Sequence, residues 1–114
     1  MIPLALLFIV CDAPWLLLNS AWSHQMFKAV QGGTPLQFRL EAAIPVYLAL
    51  AYLVQLAHST TEAFILGVCV YAVYDFTNYA TLAKYELSFA IADSLWGGAL
   101  FSIVRYIAIY LNIL

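Results

Sequence analysis

Polar positions are sparse along this chain and gather at the breaks between long apolar runs. The first run covers residues 2–22 and passes into a more polar stretch, 23–30, that reads as a helix lying along an interface. Gly32 and Gly33, then Thr34 and Pro35, end that stretch and open the next, since glycine suits a helix end and proline a first helical turn. A second run covers 36–57. The connection His58-Ser59-Thr60-Thr61 is short and polar, with Thr60 or Thr61 the expected N-cap and Glu62 in the first turn. The third run covers 62–83 and closes on Lys84, Tyr85 and Glu86. Ser88 is the expected cap of the fourth run, 89–113. Each run has about the 20 residues that cross a bilayer. The pattern predicts an all-α, four-transmembrane-helix antiparallel bundle with short loops, a single integral membrane domain over residues 1–114.

Composition narrows the class further. Apolar residues make up 66% of the chain and charged ones 9%, with a mean hydropathy of +0.94, against the roughly 25% charge that wets a soluble domain. Helices apolar nearly all round argue against a soluble bundle, and no segment alternates with the period of two that a β-barrel needs. The net charge is −2 and no Lys/Arg cluster occurs, so no nucleic-acid partner is expected. Cys11 and Cys69 sit in apolar runs without a CxxC pairing and are expected to be reduced and buried. The first run lacks a basic flank and carries Asp12 in its middle, which argues against a cleaved signal peptide. Lys28 and Arg39 flank the first connection and Lys84 lies in the third, while the termini and second connection carry no Lys or Arg. The positive-inside rule therefore puts both termini on the outer face of a virion inner, organellar or bacterial inner membrane. Arg105, within the fourth run, is expected to snorkel to the interface.

The informative residues are those that hydrocarbon does not tolerate. Asp12, Asp75 and Asp93 fall inside apolar runs, where an ionised group costs ~2.5–3.5 kcal/mol on insertion scales and turns toward protein or water. Helical spacing places polar and aromatic companions with them. Asp12, Trp15, Asn19 and Trp22 share a face of the first run; Glu41, Pro45, Tyr52 and Gln55 one of the second; Tyr71, Asp75 and Asn78 one of the third; Asp93, Trp96, Gly97 and Leu100 one of the fourth. Asp75 precedes Lys84 by nine residues and Asp93 follows it by nine. At a 1.5 Å rise per residue, both lie roughly 13 Å from that connection, at similar depth.

Chemistry of other kinds is poorly represented. His24 and His58 lie near opposite faces without ligand spacing, so no metal site is expected. No nucleophile–base order, phosphate loop or in-span lysine for a Schiff base occurs, so neither a catalytic residue nor a cofactor is expected, and the chain does not read as an enzyme. Trp22, Tyr79, Tyr85, Tyr106 and Tyr110, and also Trp15, read most simply as interface or packing aromatics. The intramembrane polar cluster of Asp12, Trp15, Asn19, Glu41, Tyr71, Asp75, Asn78, Asp93 and Trp96 then has two readings. In one it is a hydrogen-bond network holding the helices of a structural or accessory subunit of a larger assembly, such as a virion inner membrane or organellar complex, with Gly97 and Gly98 allowing close approach. Its partners are the lipid bilayer and other membrane or capsid-type proteins. In the alternative, the aspartates form the path of a small proton, cation or solute transporter. A lipid-binding role is a weaker third.

The stripes also carry a family resemblance. Asp12-Ala-Pro-Trp15-Leu, Tyr74-Asp75-Phe76-Thr77-Asn78-Tyr79-Ala80-Thr81-Leu82 and Asp93-Ser-Leu-Trp96-Gly97 resemble the pattern of the domain of unknown function 2177 family: Asp-x-x-Trp-Leu, then Tyr-Asp-x-Thr-Asn-x-Ala-Thr-Leu, then Asp-x-x-Trp-Gly. The middle motif is the most specific, and the match runs nearly the whole chain. The resemblance implies a four-helix integral membrane protein. Most of that family's polar N-terminal tail is missing here and the connections are short, a compactness similar to that of its relatives in large DNA viruses.

Overall fold

A computed structural model describes residues 1–33 and 39–114. The described residues are α-helical with no strand: α1 (Ile2–Leu18), α2 (Ser20–Val30), a 3-10 turn (Leu40–Ala42), α3 (Ala43–Val54), α4 (Thr60–Thr81) and α5 (Leu87–Tyr110). α4 and α5, with 22 and 24 residues, are long enough for a hydrocarbon core about 30 Å thick. Their most apolar windows have mean hydropathies of 1.2 and 1.6.

The other two expected spans differ from the sequence reading. α1 ends at Leu18, and the chain turns by 76° into α2. Asn19 leaves helical geometry there (φ −106°, ψ 11°). Its side chain donates to the Trp15 carbonyl at 3.0 Å and Ser20 Oγ donates to that of Leu17 at 3.0 Å. Short polar side chains thus add bonds to carbonyls of the last turn, that of Trp15 also accepting the Asn19 backbone N–H at 3.0 Å. α1 and α2 together make one bent span at most. The second run, expected over 36–57, is regular helix only for the 12 residues of α3, about 18 Å at 1.5 Å per residue. The helix start expected at Thr34 and Pro35, and the beginning of that run, lie outside the described residues. The described chain therefore holds two helices of spanning length and composition, or three if the bent pair is one span.

Local chemistry sets the ends. Gly32 and Gly33 take positive φ (69° and 92°). Their N–H groups donate back to Ala29 and Lys28 at 3.1 and 2.9 Å, the paired bonds that stop a helix where glycine relieves the left-handed turn. The N-cap of α4 is Ser59, one residue before the expected threonines, with Oγ accepting the Glu62 N–H at 3.1 Å. α5 begins at Leu87 rather than after Ser88.

Packing follows the small residues. α4 and α5 make the most extensive helix pairing, and α1 lies against both α3 and α5. A Cβ added at Gly67 would run into the backbone of Gly97, and one at Gly97 into the Tyr71 ring, so the two helices cross nearly backbone to backbone. The main core joins Leu4 and Phe8 of α1, Ala51 and Val54 of α3, and Leu100, Phe101 and Val104 of α5, with Phe8 and Phe101 edge to face at 5.2 Å. A second cluster, Met26, Tyr85, Phe89 and Ala90, fixes α2 over the α4–α5 connection. Large apolar side chains elsewhere face outward, Leu18 being 85% and Val73 70% exposed, as lipid contact allows. Cys11 is half-buried but Cys69 is exposed, against the expectation that both are buried.

Replacing Gly67 or Gly97 by alanine is expected to destabilise the protein by about 1–3 kcal/mol through overpacking. An exposed Val73→Ala should stay within about 0.5 kcal/mol. Thermal unfolding in detergent measures both, and unaltered midpoints for the glycine variants would contradict the close crossing.

Candidate functional site

The three acids of the apolar runs are buried among the described residues, with Asp12 5%, Asp75 0% and Asp93 7% exposed, and Ser94 beside Asp93 is 4% exposed. Five of their six carboxylate oxygens accept a hydrogen bond from an aromatic N–H or O–H. On α1, Asp12 accepts from Trp96 Nε1 of α5 at 2.7 Å and from the Tyr47 hydroxyl of α3 at 2.8 Å. On α5, Asp93 accepts from Trp15 Nε1 of α1 at 3.1 Å and from the Tyr74 hydroxyl of α4 at 3.2 Å. On α4, Asp75 Oδ1 accepts from the Tyr85 hydroxyl at 2.7 Å.

α1 and α5 therefore interlock through one sequence unit used twice. Each carries Asp-x-x-Trp, and each tryptophan serves the other helix's aspartate. Pairing 12 with 96 and 15 with 93 is the register of antiparallel helices. The two indoles stack between the bonds, 5.3 Å apart and 6° from parallel, in a geometry that adds to their packing.

Asp75 differs from its companions. Its Oδ2 is buried without a hydrogen-bond partner among the described residues, as is Oγ of Ser94. Both Asp93 and Ser94 of α5 lie close enough to Asp75 to interact with it. Its donor, Tyr85, stands in the α4–α5 connection, packed on Phe27 and Phe89. Burial, and then the bond to Asp75, push the Tyr85 phenol above its ordinary value, so it remains a donor.

All three aspartates border one cavity of about 310 Å³. Tyr47, Tyr71, Tyr74, Tyr85 and Trp15 form much of its wall, with Phe27 and Phe89 at the α2 side, and among the described residues no Lys, Arg or His lines it. Tyr71 is central, within electrostatic reach of all three carboxylates. Chemically, the arrangement offers negative or neutral oxygen acceptors inside an aromatic shell.

The residues of the expected cluster separate here. Asp12, Trp15, Asn19, Tyr71, Asp75 and Asp93 line the cavity, and Trp96 reaches it through its bond to Asp12. Asn78 is half-buried beside Tyr85 and outside the lining. Glu41 is exposed on the 3-10 turn, away from the cavity. The face expected to turn inward on the second run is the exposed one: Pro45, Tyr52 and Gln55 are exposed, whereas Leu50, Ala51 and Val54 are buried and Tyr47 binds Asp12. Tyr47, Tyr74 and Tyr85 are the site residues that spacing did not single out. The signal available for them is the need of each buried carboxylate for donors.

Trp96→Phe keeps an aromatic ring but leaves Asp12 Oδ1 short of a donor, and is expected to cost about 1–3 kcal/mol. Tyr52→Phe, on the exposed face, should cost at most about 0.5 kcal/mol. Unfolding in micelles checks both: an unchanged midpoint for Trp96→Phe would contradict the bond to Asp12, and a cost of about 1 kcal/mol or more for Tyr52→Phe would mean that the outward face of α3 is misassigned.

No curated protein and no solved structure matches this chain. The family model described as "Predicted membrane protein (DUF2177)" matches residues 1–110. With two or three apolar helices of spanning character around a buried polar site, the chain belongs to this family of predicted membrane proteins.

Proposed function

We propose that this is a multi-pass membrane protein that binds and passes protons or a small cationic solute through its aspartate-lined cavity. Four antiparallel membrane-embedded segments would form it: the bent α1–α2 pair, the shorter segment ending in α3, then α4 and α5. Lys28, Arg39 and Lys84 favour the first and third connections on the inner side and both termini on the outer side. One observation carries the reading. A single cavity gathers all three acids, and one oxygen of the most buried acid has no hydrogen-bond donor among the described residues. A network serving only to hold helices together gains nothing from an open acceptor in a low-dielectric interior. The aspartates have the properties expected of an intramembrane path: they are buried, face protein, and lie close together.

A second reading has its own support. The carboxylate–aromatic bonds tie α1, α3, α4 and α5 to one another, as a structural or accessory subunit of a virion inner membrane or organellar complex would require. Here the exposed apolar faces would meet lipid and neighbouring membrane or capsid-type proteins.

Liposomes containing the purified protein and a pH-sensitive dye separate the two. The transport reading expects proton flux that falls about tenfold or more in Asp75→Asn while helicity and unfolding midpoint are retained. Absence of flux, with the same variant only lowering stability, would leave the structural reading standing alone.

A further inference from the structure

We propose that the cavity is a binding site for a small organic ammonium, a protonated amine either free or carried on a lipid headgroup. The inference rests on the reading of the cavity as a solute site and names the class of solute.

Charge comes first. The walls hold three carboxylates and no basic side chain, so an anion is disfavoured whatever the protonation state of the acids. Size follows. Liquid water occupies about 30 Å³ per molecule, and a cavity of about 310 Å³ is larger than a proton-relay water or two requires. It lies at the lower end of the range for small-molecule sites.

The state of the oxygens then separates an ammonium from a bare metal cation. A hard metal ion needs several oxygens converging at about 2.0–2.6 Å. Asp12 and Asp93 already have both oxygens bonded to indole and phenol donors, and Asp75 has one. The one carboxylate oxygen left, Asp75 Oδ2, belongs to a residue with no exposed surface that lines the cavity. A buried acceptor without a donor, close enough to the Asp93 carboxyl to interact with it, suits one N–H donor of an ammonium, and a charge-assisted bond there is among the stronger hydrogen bonds a protein makes. Trp15, Tyr47, Tyr71 and Tyr74 complete the case. Aromatic rings attract organic cations, most strongly where water is excluded, and they receive the carbon part of an amine, which a hydrated metal ion lacks.

Trp15 and Trp96 flank the site and provide a fluorescence readout. Delipidated protein in detergent is titrated with ethanolammonium chloride, and in parallel with the neutral isostere ethylene glycol and with sodium chloride. A second arm compares nanodiscs containing phosphatidylethanolamine with nanodiscs of phosphatidylglycerol. The expected result is a saturable change with ethanolammonium and none with ethylene glycol or sodium. A response to free ethanolammonium in detergent assigns a free amine as the source. A response confined to phosphatidylethanolamine nanodiscs assigns the lipid headgroup. Asp75→Asn should weaken the response about tenfold or more, the loss of a charged hydrogen-bond partner. The wild-type comparison of ammonium with its isostere stands even if that variant fails to fold. Equal responses to ethanolammonium and ethylene glycol, or none in either arm, overturn the proposal. If proton flux in liposomes persists in that case, the transport reading survives it; if flux is absent too, both fall.

Discussion

The reciprocal bond between two Asp-x-x-Trp units is the constraint from which the rest of the structure follows. Lipid tails are as apolar as leucine, so helices in a bilayer are not driven together by water and rely on packing and interhelical hydrogen bonds. An aspartate inside an apolar helix turns that weak drive into a requirement, because its carboxyl must find donors on a neighbour. Here Asp12 and Asp93 find them on each other's helices, through Trp96 and Trp15. The second oxygens draw in α3 through Tyr47 and α4 through Tyr74. Two carboxylates thus fix the relative positions of four helices. The donors are neutral, so no buried cation has to be desolvated alongside the acids, a cost that often outweighs the attraction within a buried ion pair.

The break in the first run serves the same site from another side. Because the chain turns at Asn19, α2 does not continue away from α1 but lies over the end of the α4–α5 hairpin. Met26 is buried there against Tyr85 and Phe89, and the Glu86 N–H donates to its sulfur at 3.4 Å. Trp22 and Phe27 meet Phe89 edge to face, at 5.2 and 6.2 Å. Tyr85, held in this apolar cluster, presents its hydroxyl to Asp75. A contact between α2 and a loop therefore holds in place the donor of the most buried acid.

Some of this was legible in the sequence, and the limits have physical causes. α4 and α5 can be read because their apolar windows are long and end at a polar cap or connection. The three aspartates stand out because they are the acids deep within the apolar runs, Glu41 and Glu62 lying near run ends. α3 fails the same treatment. When most positions of a helix are apolar, the 3.6-residue period has no polar face to phase it, and lipid and core accept the same side chains. Glu41, Tyr52 and Gln55 suggested an inward stripe, yet they lie on the exposed side, and Tyr47 is the residue that turns in. The tyrosines were hidden for a related reason. A tyrosine in a membrane helix is equally at home at the interface and as a buried donor, and only the position of the acceptor on another helix distinguishes the two. The bend at Asn19 had a visible ingredient, the Asn-Ser pair after Leu18, but such pairs also occur in unbroken helices.

What separates the acids is completeness. Asp12 and Asp93 are fully served by aromatic donors, and each of their bonds crosses to another helix, so their chemistry is spent on architecture. Asp75 is the least exposed of the three and has one donor, from a loop. Leaving a buried acceptor open costs on the order of 1–3 kcal/mol, more than a protein of marginal stability gives up without effect. Ser94, on the neighbouring helix and close enough to interact with Asp75, has a buried hydroxyl that likewise meets no hydrogen-bond partner among the described residues. Asp75 lines a cavity whose other two acids are already occupied by aromatic donors. The unmet acceptor places the chemistry of the site on α4, within a frame that the bonds between α1 and α5 hold together.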